Sequence, residues 1–166
     1  MEERSMPRFF HFLPAALLFA VISLQPGAAA AQDVITSYEV EAEFADVRQD
    51  LADAVINRGY VIDYEAMIGE MLERTAGDVG AAKTVYKNAE AIQFCSAVVS
   101  RRAMEADPAN IAFCPYVLFV YERADMAGKV TVGFRRMAEI GSDASREALA
   151  AVNALLDEIV REAAGV

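Results

Sequence analysis

The stretch Ala91–Glu122, AIQFCSAVVSRRAMEADPANIAFCPYVLFVYE, holds both cysteines of the chain, each directly behind a phenylalanine, as Phe94-Cys95 and Phe113-Cys114. No other stretch restricts the fold as tightly. Ala89–Cys95 alternates, with Ile92 and Phe94 on one side and Gln93 and Cys95 on the other, which predicts a strand. Ser96 or Ser100 then caps a helix through Ala103 and Met104, and Asp107-Pro108 ends it. Ala112–Glu122 predicts a further strand, and its unbroken apolar run Val117–Tyr121 predicts a central one. If these two strands are antiparallel neighbours, the end of one lies beside the start of the other, and the cysteines meet.

The flanking sequence supplies layers on either side. Val34–Ala42 alternates, with Thr36, Tyr38, Val40 and Ala42 on one face and Ser37, Glu39 and Glu41 on the other. Phe44–Arg58 switches to helical period through Phe44, Val47, Leu51, Ala54 and Val55, and Gly59 supplies a C-terminal cap. Tyr60–Tyr64 predicts a second strand, and Ile68–Thr75 two turns of helix. Gly77–Thr84, GDVGAAKT, lacks the glycine before the lysine that a phosphate-binding loop needs, so a surface loop is expected. Lys83, Tyr86 and Lys87 make that loop locally basic, a candidate rim. Lys129–Arg135 turns Val130, Val132 and Phe134 inward as a hairpin partner of the central strand. From Ser142 or Asp143 a long helix carries the stripe Leu149, Val152, Leu155, Leu156, Ile159 and Val160 to about residue 163. These elements predict an α+β two-layer sandwich: one mainly antiparallel sheet, helices packed on one face, and a long C-terminal helix.

The N-terminus predicts export. Arg4 and Arg8 precede the apolar core Leu13–Leu24, and Ala28–Ala31 gives a small-residue cleavage site, the pattern of a secretory signal. Cleavage after Ala31 leaves one domain, 32–166, in the periplasm. Pro14 breaks an apolar stretch already shorter than the roughly 20 residues a spanning helix needs, so no stable membrane anchor is expected. Cleavage removes two of 25 acids and two of 15 bases, and the net charge stays −10. Such a surface disfavours nucleic acid, whose binding depends on Lys and Arg neutralising phosphates. The single histidine, His11, lies in the leader. The expected mature chain therefore has no histidine for a His-based triad, general base, zinc site or haem ligand.

Three chemistries fit the cysteines. The first is a structural Cys95–Cys114 disulfide, favoured by an oxidising compartment and by two thiols with only each other to pair. The second is thiol–disulfide exchange or redox sensing: a strand feeding a helix at Cys95 puts its sulfur near a helix N-terminus, which lowers a thiol's pKa. No Cys-x-x-Cys motif accompanies it. The third is a soft-metal site drawing on Cys95, Cys114 and Met104. Around the cysteines, Phe94, Ser96, Arg101, Phe113, Pro115 and Tyr116 form a candidate ligand-binding edge. Tyr116 and Tyr121 are expected as strand residues with wetted hydroxyls, and Arg135-Arg136 as a solvated strand end. Glu39 and Glu41 share a strand face, but no catalytic residue, metal or cofactor is assigned.

The chain resembles the family called domain of unknown function 302. The resemblance rests on Asn57-Arg58-Gly59-Tyr60 at the helix end, on Phe113-Cys114-Pro115-Tyr116 leading into Val117–Glu122, and on Gly128-Lys129-Val130. It is most similar to an exported branch with paired Phe-Cys elements, and covers about residues 34–136. It implies a compact two-layer α+β fold, often a homodimer, with no established activity. Where the family often has Gly-Asn-Pro at the end of its third strand, this chain has Phe94-Cys95-Ser96, so any ligand preference tied to that turn does not carry over. The expected function is a periplasmic, non-catalytic binding or accessory module for a small ligand or a periplasmic protein, with a redox protein using Cys95 and Cys114 as the alternative.

Overall fold

The computed structural model describes residues 34–166; the expected leader and its cleavage point lie outside the described residues. Five strands form one antiparallel sheet: β1 (Ile35–Glu41), β2 (Ile62–Ala66), β3 (Tyr86–Phe94), β4 (Tyr116–Arg123) and β5 (Lys129–Arg135). Their order is β1-β5-β4-β3-β2, so the apolar strand β4 is central as its composition predicts. Four α-helices, α1 (Phe44–Ile56), α2 (Ile68–Thr75), α3 (Ala97–Ala106) and α4 (Asp143–Ala164), complete the α+β fold. No helix among the described residues is long and apolar enough to cross a membrane.

Register makes the core. Alternation sends Tyr116, Leu118 and Val120 of β4 to the same side as Ile92 and Phe94 of β3 and Val130, Val132 and Phe134 of β5, all buried. Helices α1 and α4 close that side. Val47, Leu51 and Val55 come down from α1; Leu149, Val152, Leu156, Ile159 and Val160 come from α4. Each large side chain so buried contributes roughly 1.5–3 kcal/mol. Caps fix the ends of α4: Ser142 Oγ accepts the Ser145 N–H at 3.2 Å, and Gly165 adopts φ 68°, a left-handed cap. Asn153 lies on the buried stripe of α4 because its amide acts as a short piece of strand. It accepts the Met137 N–H at 2.8 Å and donates to the Met137 carbonyl at 2.9 Å, tying the chain after β5 to the helix.

Several details depart from the sequence-based expectation. Strand β3 begins at Tyr86 rather than Ala89, which puts Tyr86 and Lys87 on it and not in the preceding loop. Strand β2 begins at Ile62 rather than Tyr60, because Gly59 (φ 79°) turns the chain and Tyr60 stacks on Phe94 at 5.4 Å. Strand β4 begins at Tyr116 rather than Ala112, since Pro108–Phe113 winds into a 3-10 helix capped by Asp107, whose carboxylate accepts the Ala109 N–H at 2.9 Å. Asn110 fastens that turn, donating to Ala103 O at 2.8 Å and Ser145 Oγ at 2.9 Å. Lastly, the Tyr116 hydroxyl is not wetted; it is buried and bonded to Ser100 Oγ at 2.8 Å.

One buried charge organises the β4–β5 turn. Glu122, 3% exposed, receives the Gly128 N–H at 2.8 Å, Lys87 Nζ at 3.0 Å and Asn88 Nδ2 at 3.0 Å. The Gly128 N–H is the strongest of these in holding the carboxyl below its ordinary value of 4.5, with Lys87 next; burial opposes them. A depressed folded-state pKa means stability that is present above the unfolded pKa and lost as pH falls through the folded value. Glu122→Gln is therefore expected to cost on the order of 2 kcal/mol at neutral pH. Urea titrations of both proteins should show the gap closing as pH drops below about 4.5, the ordinary carboxyl value. A gap constant from pH 7 to 3 would contradict it.

Candidate functional site

Cys95 and Cys114 are joined as a disulfide. The cross-strand pair Phe94–Tyr116 sets the ends of β3 and β4 side by side, and the Cα atoms of Cys95, one residue beyond Phe94, and Cys114, two residues before Tyr116, sit 6.4 Å apart, inside the range a disulfide spans. Cys95 follows β3, while Cys114 follows the 3-10 helix and precedes a cis bond to Pro115. Ser100 Oγ, from α3, lies 3.7 Å from the Cys114 sulfur and 2.8 Å from the Tyr116 hydroxyl. Burial raises the Tyr116 pKa above 10, against the Ser100 hydrogen bond, so this hydroxyl stays protonated at neutral pH.

The surrounding edge is mostly spent on structure. Phe94, Ser96 and Tyr116 are 0%, 1% and 2% exposed. Ser96 Oγ accepts the Val99 N–H at 3.4 Å as the cap of α3, and Phe113 packs half-buried against the core. Arg101 is exposed but pairs with Glu105 along its own helix, which leaves Pro115 as the other exposed member. Met104 lies half-buried on α3, and both cysteine sulfurs of the expected soft-metal set are bonded to each other.

The opposite face of the sheet is concave. A groove of about 950 Å³ runs over the side of β3 and β4 turned away from α1 and α4. Its floor is Ala89 and Ala91 of β3 with Phe119 and Tyr121 of β4; Ile35 and Ser37 of β1 bound one side, and Ile68 with the segment Lys83–Tyr86 bound the other. Small residues make it. Gly133 lets the Phe119 ring lie across β5, for a Cβ there would stand 2.5 Å from Phe119 Cζ and from Thr36 O. Gly69 lets α2 approach β3 closely, since its Cβ would lie 2.9 Å from Ala89 N. Across the floor the rings of Phe119 and Tyr121 stack at 6.1 Å, and Tyr121 meets Tyr86 at 5.4 Å.

Two cations border the groove. Arg123 is committed to Asp125 through two bonds of 2.8 and 2.7 Å. Of the three lysines, Lys87 bonds to Glu122 and Lys129 to Glu39, whereas Lys83 has no acceptor among the described residues. Sequence reasoning marked Lys83 and Tyr86 as a rim but missed the floor. The readable signal was the run of small residues Ala89, Ala91 and Gly133 opposite a strand apolar on both faces.

A two-layer α+β domain, with an antiparallel sheet helix-covered on one side and grooved on the other, is the class defined here. The family described as "Domain of unknown function DUF302" matches residues 36–163, and the chain belongs to it. That span takes in α4, which the sequence resemblance placed at or beyond the family's edge. The crystal structure of an uncharacterised conserved DUF302 protein from Bacillus stearothermophilus is similar, with a TM-score of 0.65 at 14% identity over 80% of this chain and 99% of that one. At that identity the likeness concerns the fold. No curated protein matches the chain.

Proposed function

We propose that this chain is an exported, periplasmic, non-catalytic binding or accessory module, stabilised by Cys95–Cys114, that takes its ligand in the groove over β3 and β4. The observation that carries the reading is the contrast between the two sides of the sheet. Around the disulfide, Phe94, Ser96 and Tyr116 are buried, and Ser96 and Tyr116 are hydrogen-bonded, so little surface is left for a substrate. The groove, by comparison, has the size and apolar floor of a small-molecule site. A homodimer is part of the same reading: among the described residues β1 and β2 are edge strands, each paired on one side alone, which a second copy could extend.

Native mass spectrometry of protein taken from the periplasmic fraction tests this in one measurement. The expected species is a dimer of chains starting at Gln32 with both thiols oxidised. Free thiols carrying mixed-disulfide adducts would instead favour thiol–disulfide exchange, and a chain retaining Met1 would contradict export with cleavage.

A further inference from the structure

The groove's chemistry points to its ligand class: we infer that it binds a small aromatic carboxylate, with the ring on the floor and the carboxylate at Lys83. The inference rests on the binding-module reading and adds the identity of what is bound. The floor offers methyl groups from Ala89 and Ala91 and the rings of Phe119 and Tyr121, a surface that selects a flat apolar body. Charge selects the rest. Arg123 is neutralised by Asp125, so that border carries no net charge toward a ligand. Lys83, on the other side, has no acceptor among the described residues, in a chain whose acids outnumber its bases 25 to 15. An unpaired ammonium beside an apolar floor complements an anion on a hydrocarbon body, and it repels the cations that aromatic rings would otherwise attract. The groove volume of about 950 Å³ leaves ample room for such a molecule.

The test uses amide chemical shifts of the oxidised domain titrated with phenylbutyrate, phenylbutyramide and phenylbutylamine at low salt, in the native protein and in Lys83→Gln. Lys83 is exposed on a loop, so this variant keeps the fold. Phenylbutyrate is expected to shift Ala89, Ala91 and Phe119 and to bind about three- to fivefold more tightly than the amide, with the amine weakest. Lys83→Gln should erase the difference between acid and amide. Equal affinity of acid and amide, or a difference that survives in Lys83→Gln, overturns the inference and leaves the binding module standing. Shifts confined to Cys95–Pro115 overturn it too, by moving the site to the disulfide edge. No shift with any of the three probes counts against the binding module itself as well as against the inference.

Discussion

Gly133→Ala is expected to lose about 3 kcal/mol of stability. The added carbon would stand 2.5 Å from Thr36 O, 2.5 Å from Phe119 Cζ and 2.8 Å from Ser37 Cβ. Only the Phe119 ring can swing aside by itself; Thr36 O belongs to the β1 backbone, held in register opposite Phe134, and Ser37 Cβ is bonded directly to that backbone. Relief therefore requires β1 to part from β5 along the edge of the sheet. Thermal unfolding should show a fall in midpoint of roughly 10 °C. Phe119→Ala in the same chain should recover only part of the loss, since the clash with Thr36 O remains. A midpoint within about 2 °C of the native protein would show that the strands separate freely there.

Cys95→Ser/Cys114→Ser is expected to lose a comparable amount, about 3 kcal/mol, for a different reason. The cross-link closes a loop with a sequence separation of 19 and restricts the unfolded chain more than it adds contacts to the folded one. The pairing of β3 with β4 along Tyr86–Phe94 and Tyr116–Arg123, and the core above it, do not depend on sulfur. The double variant should thus keep its native fold and its groove while unfolding at lower urea. Unchanged stability would remove the structural role, and a collapsed fold would show that the sheet depends on the link to assemble.

Much of this architecture was legible because periodicity reports burial directly. Lys129–Arg135 and Ile68–Thr75 coincide with β5 and α2, and Ser142 caps α4 as one of two expected starts. The condition under which the cysteines meet, β3 and β4 as antiparallel neighbours, is fulfilled, and the pair is bonded. What stayed hidden was tertiary. The expected strand Ala112–Glu122 gave no sign that a 3-10 helix would end inside it, because Asn110 holds that turn through contacts with α3 and α4. Tyr116 was expected to be wet, yet α3 folds Ser100 over it. The candidate edge around the cysteines was chosen for its chemistry, and the same aromatic residues that drew notice there, Phe94 and Tyr116, are core. The groove depends on Gly133 and on the reach of Phe119, features that a sequence records only as one small residue and one large one.

The most direct test of whether the disulfide is a staple of a binding module is its equilibrium reduction potential, measured on the intact domain by titration against a graded dithiol buffer. A structural link packed beside Ser100 and Tyr116 is predicted to fall below about −300 mV, out of reach of ordinary thiol pools. A value near about −200 mV, with ready exchange, would contradict the account and place redox chemistry at Cys95 and Cys114.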